Sequence, residues 1–155
     1  DTDVSIGCRF YVHNEHAPTI LFFYGNGEIG SDYDDIGPVY NQYGLNLVVA
    51  DYRGYGKSTG SPTVTAMLTD AHVIVRAVQQ WLQKKGMSSR PWVMGRSLGS
   101  ASALELAPMV LANTVAISAI TSKSKPVKAS LLEMLILIIS SSFCMVSCAY
   151  PDQRM

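Results

Sequence analysis

The sequence predicts an α/β fold, a mostly parallel sheet with helices on both faces. Three observations carry it. Short apolar runs rich in β-forming residues recur at 19–24, 45–50, 91–94 and 114–120. The first two are apolar with little alternation, as strands buried on both faces are. Between the runs lie segments of helical periodicity or small-residue composition, and such alternation requires crossover connections between parallel strands.

The elements follow in order. Residues 4–12 place Val4, Ile6, Phe10 and Val12 among polar neighbours at a period near two. That pattern predicts a half-buried strand at a sheet edge. The run 19–24 ends abruptly at Gly25, and Ser31 can cap a helix reaching about Tyr43. Asp32, Asp34 and Asp35 would stand in its first turn, with Pro38 a point of kinking or restart and Gly44 a stop. After the strand 45–50, residues 63–85 form a long amphipathic helix, with Met67, Ala71, Ile74, Val75, Val78, Trp81 and Leu82 on one stripe. Lys84, Lys85 and Gly86 end it. A short strand at 91–94 leads to a helix from Leu98 to about Ala107, whose alanines allow close packing on a sheet. Residues 114–120 make the last strand of the pattern.

Composition excludes whole classes. Apolar residues make up 48% and charged residues 15%, against about 25% charged in ordinary globular proteins, so the chain is not disordered. Twelve basic and twelve acidic residues give no net charge and no basic field for a nucleic-acid backbone. Cys8, Cys144 and Cys148 are odd in number and badly spaced for a disulfide framework. With no visible signal peptide, a cytoplasmic, reducing setting is expected, and Asp1 reads as a cut end. Oligomeric state is left open.

Two glycine motifs compete for function. Gly25-Asn26-Gly27-Glu28-Ile29-Gly30 is a G-x-G-x-x-G after a strand, with Asp51 ending the next strand. On paper it meets the conditions for a dinucleotide site using Gly25, Gly27, Gly30 and Asp51. The chemistry objects, because Glu28, Asp32, Asp34 and Asp35 crowd the helix end that a diphosphate would need. The second motif, Gly95-Arg96-Ser97-Leu98-Gly99, follows a strand and precedes a helix of small residues. That is the context of a nucleophile elbow. Ser97 would project above the sheet from a tight turn, Gly95 and Gly99 would admit the close backbone approach, and the Leu98 N–H would face a developing oxyanion.

Three stretches together resemble the α/β-hydrolase superfamily in its serine-hydrolase branch. They are Phe23 to Glu28, Ala50 to Ser58 with its Asp51-Tyr52-Arg53-Gly54-Tyr55-Gly56, and Met94 to Ser100. The resemblance covers about residues 4–107. It implies Ser97 as nucleophile, the backbone N–H groups of Leu98 and Asn26 as oxyanion hole, and a small-molecule acyl substrate, with no metal or organic cofactor. Asp51 and Arg53 fall on a loop that is structural in the family, and a turn-bracing ion pair is expected there. Tyr24 stands where the family usually carries histidine.

The resemblance also implies an acid and a histidine after the nucleophile. No histidine follows Ser97, and the acids that do are Glu105, Glu133 and Asp152. His13, His16 and His72 are expected on the solvated surface. A domain of this type generally needs roughly 200–250 residues, so the sheet is expected to be truncated. Residues 1–120 read as the N-terminal portion of the domain and 121–155 as a divergent apolar, Ser-rich tail. Three readings of the tail stay open. Residues 129–149, whose one charge is Glu133, could cross a membrane or cover a sheet face. The third is sequence foreign to the family. A non-catalytic remnant or interaction module is the alternative function.

Overall fold

The computed structural model describes residues 3–109, 115–118 and 143–146. Six strands form one sheet in the order β1-β3-β2-β4-β5-β6. They are β1 (Cys8–Tyr11), β2 (Thr19–Phe23), β3 (Asn46–Ala50), β4 (Trp92–Arg96), β5 (Val115–Ser118) and β6 (Phe143–Val146). The central four, β3-β2-β4-β5, run parallel, and β1 and β6 pair antiparallel at the two ends. This is the α/β-hydrolase fold, partly represented. The reading 4–12 contracts to four residues; of 114–120 the described residues, 115–118, form β5 as expected. Residues 143–146 are the described part of the tail, and they form a strand. The rest of the tail lies outside the described residues. No described helix is long and apolar enough to cross a membrane.

Burial follows the apolar runs. Every residue of β2 and β3 is buried. On β1 the alternation sends neighbours to opposite faces. The Phe10 ring meets Trp81 with centroids 4.3 Å apart, while the next residue, Tyr11, lies against Gly37 and hydrogen-bonds Asp34 at 2.6 Å. Trp81 belongs to α2 (Val64–Lys84) and Gly37 to α1 (Gly37–Gln42). The sheet therefore carries helices on both faces.

The helix expected from Ser31 to Tyr43 is instead two pieces. A single 3-10 turn spans Gly30–Tyr33, and α1 begins afresh at Gly37 with Pro38 in its first turn. Proline lacks the N–H that would continue the ladder and its ring clashes with the preceding turn. Ser31 caps nothing; Asp32 accepts the Ile29 N–H at 3.0 Å. By contrast α2 starts where expected, with the Thr63 hydroxyl accepting the Ala66 N–H at 3.1 Å. The helix after Ser97 is α3 (Gly99–Leu106).

A tyrosine cluster fills the space above β2 and β3. Tyr24 and Tyr52 pack edge-on at 4.8 Å, and Tyr24 stacks with Tyr33 at 6.2 Å. Burial first, then the Asp51 carboxylate, pushes the Tyr24 phenol above its usual pKa; burial does the same at Tyr33 and Tyr52. Raised native values mean this stability is complete below the unfolded pKa near 10. It is lost as pH climbs past that value, since the unfolded chain then releases protons that the native chain retains. Each such tyrosine is expected to remove up to about 1.4 kcal/mol per pH unit there. Urea midpoints should fall as pH rises above about 10. Midpoints that stay level from there into stronger alkali would contradict the arrangement.

Candidate active site

The sheet order creates the site. From β2 the chain crosses to β3 on one side, then returns to β4 on the other. The loops leaving β2 and β4 therefore diverge at their carboxyl ends, and ligands in open α/β sheets bind in such a crevice. The residues there are Gly25 and Asn26 after β2 and Ser97 and Leu98 after β4.

Ser97 is exposed and has φ 52°, the one positive φ among the described non-glycine residues. A left-handed serine is strained by about 1–3 kcal/mol, and surrounding packing must hold it. The glycines explain how. A Cβ on Gly95 would overlap the Gly99 carbonyl, and a Cβ on Gly99 would overlap the carbonyl oxygens of Phe23 and Tyr24. The start of α3 is thus pressed onto the end of β2. The Ser97 carbonyl accepts the Ser100 N–H at 3.0 Å, opening the helix.

Gly25 lies beside this turn, its Cβ position 3.5 Å from the Ser97 Cβ. Tyr55, from the loop after β3, donates to Asn26 Oδ1 at 3.1 Å. Among the described residues neither the Asn26 nor the Leu98 N–H donates a hydrogen bond. Glu28 curls back so that one carboxylate oxygen accepts the Gly25 N–H at 2.9 Å and the Tyr33 hydroxyl at 3.0 Å. Its other oxygen pairs with the Arg96 guanidinium. Burial holds the Arg96 pKa below its usual value.

The dinucleotide alternative loses its donors here. Gly25 N–H is bound by Glu28, and Gly30 N–H by Asp51 at 2.6 Å. The loop also enters a four-residue 3-10 turn rather than a helix with an extended dipole.

Asp51 and Arg53 do not pair with each other, contrary to expectation. Asp51, 4% exposed, accepts the Gly30 N–H, the Tyr24 hydroxyl at 2.9 Å and the Lys57 N–H at 3.1 Å. Arg53 instead forks onto Asp70 of α2 at 2.6 and 2.8 Å. Tyr24, at the position of the family's histidine, is wholly buried in this network.

The histidines stand away from Ser97. His13 and His16 precede β2, at the opposite end of the sheet, roughly 16 Å off at 3.3 Å per strand residue. His72 is not the solvated residue expected. It is half-buried between α2 and α3, with Nε2 2.9 Å from Glu105 and Nδ1 2.8 Å from Met109 Sδ. Glu105 lies about 9 Å along α3 from Gly99. Among the described residues no group of His, Cys, Asp and Glu could hold a metal ion.

A shallow cavity of about 290 Å³ reaches the turn at Leu98, with Tyr52, Tyr55, Pro62 and Met67 in its walls. Its polar wall groups bond within the protein. Tyr52 donates to the Tyr24 carbonyl at 2.7 Å, Tyr55 to Asn26, and Thr63 caps α2.

A family model described as "Serine aminopeptidase, S33" matches residues 14–145. The chain belongs to this α/β-hydrolase family. The S33 match runs past residue 107, where the legible motifs end. Protein bem46 of Schizosaccharomyces pombe is 32% identical over 95 residues, covering 59% of this chain and 30% of that protein. Lysophosphatidylserine lipase ABHD12 of Gallus gallus is 35% identical over 92 residues, covering 57% and 23%. The chain thus spans less than a third of either relative. Est1E from Butyrivibrio proteoclasticus, solved with ferulic acid bound, superposes with a TM-score of 0.57 at 22% identity, over 70% of this chain and 46% of that one. That likeness is one of fold. Sequence reasoning missed the linking roles of Glu28, Arg96 and Tyr55. Glu28 and Arg96 were visible as charges beside glycine turns, but no local signal pairs residues so distant in the chain.

Proposed function

We propose that this S33-family chain carries the nucleophile-bearing half of a serine hydrolase for an ester, thioester or amide. The strained, exposed Ser97 at the carboxyl end of β4, with φ 52°, is the observation that carries this reading. Such strain persists where function uses it. In this mechanism the Ser97 oxygen attacks the acyl carbonyl as its proton passes to solvent water, and the N–H groups of Asn26 and Leu98 hold the resulting oxyanion. The acyl-enzyme forms as the leaving group departs, and water then releases the acid. The cavity beside Leu98 favours a short apolar group on the substrate, since its walls offer little unsatisfied polarity. No residue near Ser97 takes its proton among those described, so attack by this chain is slow.

The test is labelling by a fluorophosphonate probe followed by peptide mapping. Slow modification confined to Ser97, abolished in Ser97→Ala, is expected. Labelling that persists in Ser97→Ala, or none after prolonged exposure, would remove Ser97 as the nucleophile.

A further inference from the structure

The reading of Asn26 and Leu98 as partners raises a mechanical problem. Their N–H groups come from loops on different strands, yet must converge on one oxygen. Loop backbones drift unless something links them.

We infer that the Glu28–Arg96 pair is a brace that holds the two halves of the oxyanion hole in register. The inference rests on the proposed function. Glu28 closes its own loop by accepting the Gly25 N–H, and Gly25 directly precedes Asn26. Arg96 directly precedes Ser97 and Leu98. Their ion pair therefore joins the two loops two residues from each donor. Tyr33 fixes the shared carboxylate from the 3-10 turn. The guanidinium comes within 3.8 Å of the Gly25 Cβ position, and Ser97 Cβ within 3.5 Å of the same point. The pair is two-thirds or more withdrawn from water, with Arg96 33% and Glu28 27% exposed. Arg96 Nε is buried without a hydrogen-bond partner among the described residues. Glu28 is thus the main anchor of that cation, and removing Glu28 strands it. Both are positioning residues: neither needs to touch substrate.

The experiment compares the full chain with Glu28→Gln, Arg96→Met and Arg96→Lys, all checked for folding by circular dichroism. Hydrogen exchange is read by mass spectrometry at 24–29 and 95–100, and fluorophosphonate labelling at Ser97. Breaking the pair from either side should raise exchange about tenfold in both loops, while α2 keeps its protection. Ser97 labelling should fall about ten- to a hundredfold, since a displacement near 1 Å can cost about a hundredfold. Lysine at 96 keeps the charge without the fork and should restore part of both signals. If Glu28→Gln unfolds the chain, Arg96→Met and Arg96→Lys still decide. Unchanged exchange at 24–29 in Arg96→Met would overturn the brace, leaving an ion pair of small effect. Equal behaviour of Arg96→Met and Arg96→Lys would also overturn it, because the charge would then be irrelevant. A chain whose exchange responds but whose Ser97 never labels would sink the hydrolase reading and leave the brace as geometry.

Discussion

Asp51→Ala is expected to destabilise the domain by about 3–5 kcal/mol, a large share of what a small domain holds. The carboxylate is 4% exposed and ties together the segments that follow β2 and β3. It accepts from Gly30 after β2, from Tyr24 at the end of β2, and from Lys57 after β3. Alanine orphans the Gly30 N–H and the Tyr24 hydroxyl in a buried place, at about 1–3 kcal/mol each. It also opens a void under Gly56, whose Cβ position is occupied by the carboxylate. Small domains hold only about 5–15 kcal/mol in total. Asp51→Asn keeps the shape and one acceptor oxygen but turns an amide donor toward a donor, and should cost about half as much. Urea unfolding followed by tryptophan fluorescence measures both. An Asp51→Ala midpoint within experimental error of the parent would show that the network contributes nothing net.

Turnover of a p-nitrophenyl ester by this chain is expected near background, about 10⁶-fold below an intact Ser-His-acid enzyme. Removing the serine or the histidine of a triad costs about that much. The three histidines of the sequence all precede Ser97. Two lie at the far end of the sheet, and His72 is engaged with Glu105 and Met109. Ser97→Ala and His72→Ala should both match the parent rate. Enzyme-like turnover lost in Ser97→Ala would mean that a base reaches the serine. Its loss in His72→Ala as well would name that base and require α2 and α3 to separate.

The chain's local chemistry made much of this legible. Apolar runs with little alternation marked β2 and β3, because a strand buried on both faces is mostly apolar on both. The stripe from Met67 to Leu82 marked α2, and Lys84, Lys85 and Gly86 marked its end by chemistry local to the last turn. Gly95 and Gly99 marked the Ser97 turn, since their spacing is itself local. Tertiary structure decided the rest, wherever a residue's partner lay on another element. Arg53 chose Asp70 over Asp51 because α2 passes beside its loop while Asp51 turns inward to buried N–H groups. Tyr24 became a buried strut because β3 delivers Asp51 and Tyr52 next to β2. His72 gained Glu105 only when α3 packed on α2. The segment from Ser31 to Tyr43 broke in two because Pro38 cannot extend the first turn and Gly37 must lie against Tyr11. Glu28 and Arg96 met because β2 and β4 are neighbours in the sheet. Periodicity reports which face of an element is apolar; strand order, set by packing the whole chain, decides which charges face each other.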